Sequence, residues 1–179
     1  MEFIDLQAAD APAKLEFVYF SVFERNFLLA ENREVMIMKV AVRYQSRGGN
    51  TKEVAEAIAK AVGVKAESID VSLDEAVDIL FVGGGVYAHT IDPSLKSYLE
   101  ALNQDVVKSI AAFTTGAGMS ATDKIVDIAK EKGINACAKS LPIKKGLKNY
   151  RVFGGKGDAT LSDKHLRLVN DFVKDILGQ

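Results

Sequence analysis

The chain has 179 residues, 48% of them apolar and 26% charged, a composition that supports one globular core and excludes a disordered or collagen-like chain. One cysteine, Cys137, and two distant histidines, His89 and His165, exclude a disulfide framework and argue against any metal centre built from these residue types. The net charge of −1 conceals an asymmetry: residues 1–38 carry seven acidic and three basic side chains and residues 39–179 carry 17 and 20, a body too weakly basic to bind nucleic acid by charge alone.

In chain order, the most apolar early stretch is Leu15–Leu29, which contains Glu16, Glu24 and Arg25. It is too short to span a bilayer, and the acidic residues before it do not fit a secretory signal. No membrane association and a cytoplasmic location are therefore expected. Residues 1–38 read as a loosely attached or helical extension, with Met36 or Met38 as an alternative start.

From Lys39 the character changes. Lys39–Tyr44 reads as a strand and Gln45–Asn50 as a loop. Thr51–Val62 has apolar Val54, Ala55, Ile58, Ala59 and Val62 at helical spacing, with Gly63 as a stop. Lys65–Ile69 is a short second strand, and Asp78–Val82 a continuous apolar run suited to a strand buried on both faces. Asp92 is an N-cap and Pro93 a first helical residue for a helix to about Leu102. Ser109–Thr114 is a fourth strand. A helix from Ser120 to Lys132 closes at Gly133, Ala136–Ile143 is a weaker fifth strand, and Ser162 caps a last helix whose inner face would be Leu166, Val169, Phe172, Val173 and Ile176. This alternation predicts an α/β fold with a parallel sheet covered on both faces.

Three glycine-rich segments follow predicted strands. In Ser46-Arg47-Gly48-Gly49-Asn50-Thr51 the adjacent glycines let backbone amides converge at a helix N-terminus, and the side chains of Ser46, Asn50 and Thr51 add donors, a combination suited to a phosphate. The segment is neither a Walker A loop nor a G-x-G-x-x-G fingerprint. Gly83-Gly84-Gly85-Val86-Tyr87-Ala88-His89-Thr90 and Thr114-Thr115-Gly116-Ala117-Gly118-Met119 read as two further loops beside it. They either serve only as tight turns or admit a flat ring on which Tyr87 could stack.

From Lys39 onward the chain resembles a short-chain flavodoxin. That family's phosphate loop reads Thr/Ser-x-Thr-Gly-Asn-Thr, and Ser46–Thr51 matches it except that Gly48 replaces the usual hydroxyl residue and Arg47 adds a charge. The resemblance implies a three-layer sandwich with a five-stranded parallel sheet in the order 2-1-3-4-5. It implies FMN as cofactor, with its phosphate on Ser46, Arg47, Gly48, Gly49, Asn50 and Thr51. The ring would lie between Gly84, Gly85, Val86, Tyr87 and Ala88 on one side and Thr114, Thr115, Gly116, Ala117 and Gly118 on the other. Arg47 either pairs with the phosphate or points into water. The fourth-strand loop lacks the aromatic that often covers the ring, so Met119 or an aromatic from elsewhere would cover one face, or that face stays open.

The function expected is low-potential electron transfer through bound FMN, with redox proteins as partners. A second reading is an NAD(P)H-dependent quinone or FMN reductase acting on a small acceptor, favoured by the open ring face and by the basic run Lys139–Lys156. A third is a flavin-free interaction domain on the same fold. Backbone groups of Gly84–Ala88 would meet the flavin N5 edge, His89 reads as a solvent-facing loop residue or, alternatively, a hydrogen-bonding group for a substrate or the N5 region, His165 as part of a surface helix, and Cys137 as a small buried hydrophobe.

Overall fold

The computed structural model describes residues 38–87, 90–116, 120–144 and 161–178. The expectations for residues 1–37, for Ala88 and His89, for Ala117, Gly118 and Met119, and for Lys145, Lys148, Arg151 and Lys156 of the basic run lie outside them.

Strand β1 (Val40–Gln45) leads into helix α1 (Asn50–Val62), β2 (Ala66–Ser68), β3 (Val77–Tyr87), β4 (Thr90–Ile91) and α2 (Pro93–Ala101). There follow β5 (Val107–Thr115), α3 (Ser120–Glu131), β6 (Asn135–Ala136), β7 (Leu141–Ile143) and α4 (Asp163–Leu177). The sheet runs β2-β1-β3-β5-β6, with these neighbours parallel. This is the expected 2-1-3-4-5 order. The fifth position is divided: β6 and β7 both pair with β5, at Ser109–Ile110 and at Phe113–Thr115. Strand β4 adds a short antiparallel return along the end of β3, so the sheet has more strands than the five expected.

Alternation along the central strands builds two cores. Leu80 and Val82 of β3, with Ile110 and Ala112 of β5, pack against Leu95 and Leu99 of α2 and Ile125 and Ala129 of α3. Phe81, Ala111 and Phe113 face the other way, toward Val54, Ala55 and Ile58 of α1 and Val169, Phe172 and Val173 of α4. Phe81 meets Phe172 edge to face at 5.7 Å between ring centres. The predicted inner face of α4 holds for Val169, Phe172 and Val173, whereas Leu166 is 40% exposed. Gly63 closes α1 in the left-handed region at φ 75°, and the amides of Gly63 and Val64 both donate to the Ala59 carbonyl.

The largest correction concerns β3. The run Gly83–Tyr87 is strand, and Gly83 and Gly84 pair with Tyr44 and Gln45 of β1 on one side and with Phe113 and Thr114 of β5 on the other. A Cβ at Gly83 would strike the Phe113 carbonyl and lie 2.5 Å from its ring, and one at Gly84 would lie 2.6 Å from the Leu95 methyl. These two glycines let a central strand stay paired beneath large core side chains; they make no turn.

Candidate functional site

The amino-terminal end of α1 faces the carboxyl end of the sheet, where ligands of open α/β sheets bind. Gly49 is its N-cap, in the left-handed region at φ 88°, and being glycine it offers no side chain to the first-turn amides. The positive end of the helix dipole lies at this turn, a position that favours an anion. A Cβ at Gly48 or Gly49 would have nothing within 4 Å, so the turn has open space above it. Ser46 Oγ accepts the Gly49 amide at 3.0 Å, which fixes the curl and leaves the serine proton free to donate elsewhere.

Thr51 is buried at 1% exposure, and its Oγ1 lies 2.7 Å from Thr115 Oγ1 at the end of β5. This bond joins segments 64 residues apart and ties the start of α1 to the fourth parallel strand. Each hydroxyl has one proton; when Thr115 donates, Thr51 retains its own for a ligand. Thr114 and Thr115 are buried within β5, so they do not form the loop that the sequence reading assigned them. Gly116 follows at φ 126°, with its amide on the Ile143 carbonyl at 3.1 Å. A Cβ there would lie 3.2 Å from that of Val86, so the ends of β3 and β5 approach closely.

The Arg47 side chain is largely exposed and ion-paired. Its Nε and Nη2 donate to Asp92 Oδ2 at 2.7 and 2.6 Å, and its guanidinium carbon stands 4.4 Å from the centre of the Tyr87 ring. Stacking on an aromatic face while pairing with a carboxylate suits the planar guanidinium. The Arg47 amide donates to the Tyr87 hydroxyl at 3.3 Å. Asp92 is buried and caps α2, accepting the amide of Ser94 at 2.9 Å and its hydroxyl at 2.6 Å. Burial opposes its charged form, but the hydrogen bonds from Ser94 and then Arg47 outweigh that penalty and hold the carboxyl below its ordinary range. The sequence reading gave Asp92 only a capping role. Its pairing with Arg47 spans 45 residues and has no local signal.

Tyr87 ends β3, and its hydroxyl and ring lie 2.7–3.0 Å from where a Cβ on Gly85 would stand. Its phenol therefore covers the Gly85 backbone. Val86 and Tyr87 pair with Ile91 and Thr90, so the expected loop after the third strand is the end of β3 and its return. Just before the anion turn, Gln45 has a buried Oε1 without a partner.

Elsewhere, a hollow of about 530 Å³ opens at the sheet edge beside β2, lined in part by Tyr44, Lys52, Glu56 and Lys65. Its charges pair locally, Lys52 with Glu56 and Lys65 with Glu67. Cys137 is half-buried, and burial pushes its thiol above the usual range, which disfavours the nucleophilic thiolate. His165 sits at the start of α4 with its Nδ1 3.1 Å from Ser162 Oγ, remote in sequence from the anion turn. Among the described residues no cluster of His, Cys, Asp or Glu could hold a metal, and no helix is long and apolar enough to cross a membrane.

The model of the flavodoxin domain family matches residues 41–162. Among solved structures, a flavodoxin from the domain Archaea is similar at 25% identity and a TM-score of 0.53, covering 78% of this chain and 99% of its own. Oxidised flavodoxin 2 from Bacillus cereus is similar at 15% identity and TM-score 0.59, over 78% of this chain and 98% of its own. A WrbA-like flavodoxin from Agrobacterium tumefaciens aligns at 16% identity and TM-score 0.57, over 78% and 96%. None of the curated proteins matches the chain in sequence.

Proposed function

The chain belongs to the flavodoxin domain family, and from that premise we propose that it binds FMN and carries electrons at low potential between redox partner proteins. The observation that carries this reading is the turn at Gly48–Gly49: a helix start with no side-chain cap and open space above the two glycines. The phosphate monoester would rest on those amides, with Ser46 and Thr51 supplying hydroxyl protons and Asn50 completing the turn. The ring would lie along the adjoining ends of β3 and β5, beside Gly85, Tyr87, Thr115 and Gly116. When bound, the flavin supplies the electron-accepting chemistry. The chain's own part is to hold the phosphate, to keep water from one side of the ring and to present backbone groups to its edge.

Arg47, held by Asp92, is a bystander to the phosphate in this arrangement, so the turn keeps the nearly neutral character that its glycines give it. A cytoplasmic location is part of the same reading. The test is a titration of the full chain with FMN, followed by flavin fluorescence. Saturable quenching at one FMN per chain is expected, and no quenching overturns the assignment.

One observation favours the reductase as a second reading. The body is mildly basic, whereas a carrier that steers basic partners by charge is acidic. The basic run lends less to it than expected, because Lys139 is paired with Asp175 at 2.5 Å. Steady-state oxidation of NAD(P)H with a quinone, at tens of turnovers per second, would favour the reductase; negligible turnover with fast reduction by a partner reductase would favour the carrier.

A further inference from the structure

Three segments that the sequence keeps apart meet around Arg47, beside the Gly48–Gly49 turn: Arg47 from the turn, Tyr87 from the end of β3 and Asp92 from the start of α2. We propose that Asp92 is a positioning residue which, through Arg47, latches Tyr87 over the Arg47 amide and the Gly85 backbone, so that FMN seats fully only when Tyr87 lifts. The inference rests on the FMN reading above.

The geometry gives each member a distinct part. The Tyr87 hydroxyl accepts the Arg47 amide at 3.3 Å, so one amide of the anion turn faces a phenol oxygen. The same phenol lies on Gly85, which has no side chain to hold it off. Tyr87 thus covers both an amide of the phosphate turn and the β3 backbone along which a flat ring would lie. The guanidinium stacks on the phenol ring at 4.4 Å from its centre. Arg47 would be free to swing, since its side chain is 62% exposed, were it not held by two hydrogen bonds to one oxygen of a carboxylate that is itself 6% exposed.

Asp92 is in turn fixed by its cap bonds to Ser94. A buried, doubly anchored carboxylate is a rigid post, and the exposed arginine is the arm pinned to it. The phenol–amide bond at 3.3 Å is long for a hydrogen bond, and a phosphate oxygen would make a shorter, charge-assisted one at that amide. Displacement of the phenol by the anion is therefore favourable once the ligand arrives. The latch acts on the rate of entry.

The test measures association and dissociation of FMN by stopped-flow flavin fluorescence in the full chain. Tyr87→Phe keeps the ring and removes only the hydroxyl, and it is expected to speed association about fivefold, the factor one ordinary hydrogen bond carries, with dissociation unchanged. Asp92→Asn keeps a capping side chain but loses the charge that holds Arg47, and it should speed association about as much. Freed Arg47 would also attract the anion through space, so Asp92→Asn is repeated in the Tyr87→Phe background. No further gain there supports positioning through Tyr87. An equal gain in both backgrounds overturns it in favour of simple steering, and unchanged association in Tyr87→Phe overturns the latch outright. Urea midpoints of the ligand-free variants check that α2 remains capped. If wild type and variants all fail to quench FMN, the function proposed above falls and the latch falls with it; quenching at equal rates overturns the latch alone.

Discussion

Two glycine pairs, Gly48–Gly49 and Gly83–Gly84, look alike in the sequence and are physical opposites. At the first, a Cβ would meet nothing within 4 Å; at the second, it would run into Phe113 and Leu95. The first pair leaves space above a helix start, where amides can receive an anion. The second fills space, letting β3 pass under core side chains while both of its edges stay hydrogen-bonded. Glycine content alone therefore does not mark a ligand loop. What distinguishes the two is the side that lacks a neighbour.

Substitution can break this contrast, and the largest effect is expected at Gly83. Gly83→Ala forces a methyl into the Phe113 carbonyl and ring, so it should cost about 3 kcal/mol or more, read as a fall in the urea midpoint. A shift below about 1 kcal/mol would show that β3 and β5 have room to separate. Next comes Thr51→Val, which leaves the buried Thr115 hydroxyl without its partner and should cost about 1–3 kcal/mol. The double change Thr51→Val/Thr115→Val should recover part of that loss, because it removes both polar groups together.

Acid titration sharpens the comparison from the anion turn's side. The Asp92 carboxyl is lowered in the folded chain, so its contribution is present above the unfolded value of about 4 and is lost as pH falls through the lower folded value. Asp92→Asn should therefore flatten the acid limb of the stability curve while leaving the neutral region's slope unchanged; an unaltered acid limb would contradict the assigned partners. The smallest effect on folding belongs to Gly48→Ala, expected within about 0.5 kcal/mol of wild type. Its FMN affinity should nevertheless fall several-fold, because the methyl occupies the space above the amides. Equal affinity would place the phosphate elsewhere.

Much of the fold was legible. The helical spacing of Val54, Ala55, Ile58 and Ala59, the Asp92–Pro93 start and the Ser162 cap all report local preferences, and the structure keeps each of them. The end of β3 was misread because glycine-rich sequence suggests a loop, and the partners that make it strand lie in β1 and β5, far along the chain. The fifth strand divides because residues 138–140 leave the ladder between its two pieces, after the Cys137 amide bonds the Ile110 carbonyl; its average apolar character hides that break. Within the candidate site, Ser46–Thr51 was recognisable from its own composition. The Arg47–Asp92 pair and the Thr51–Thr115 bond were not, since neither pair has neighbours in the sequence that announce it.

Periodicity and capping residues, acting within a turn or two, were enough to set the alternation of strands and helices and to turn an uncapped helix start toward the sheet's carboxyl end. Which glycines are open and which are packed shut, and that Arg47 meets the Asp92 carboxylate, was decided only in the tertiary structure. Burial, close packing and ion pairing depend on what occupies the few ångströms around a side chain, and here those occupants come from 11 to 64 residues away.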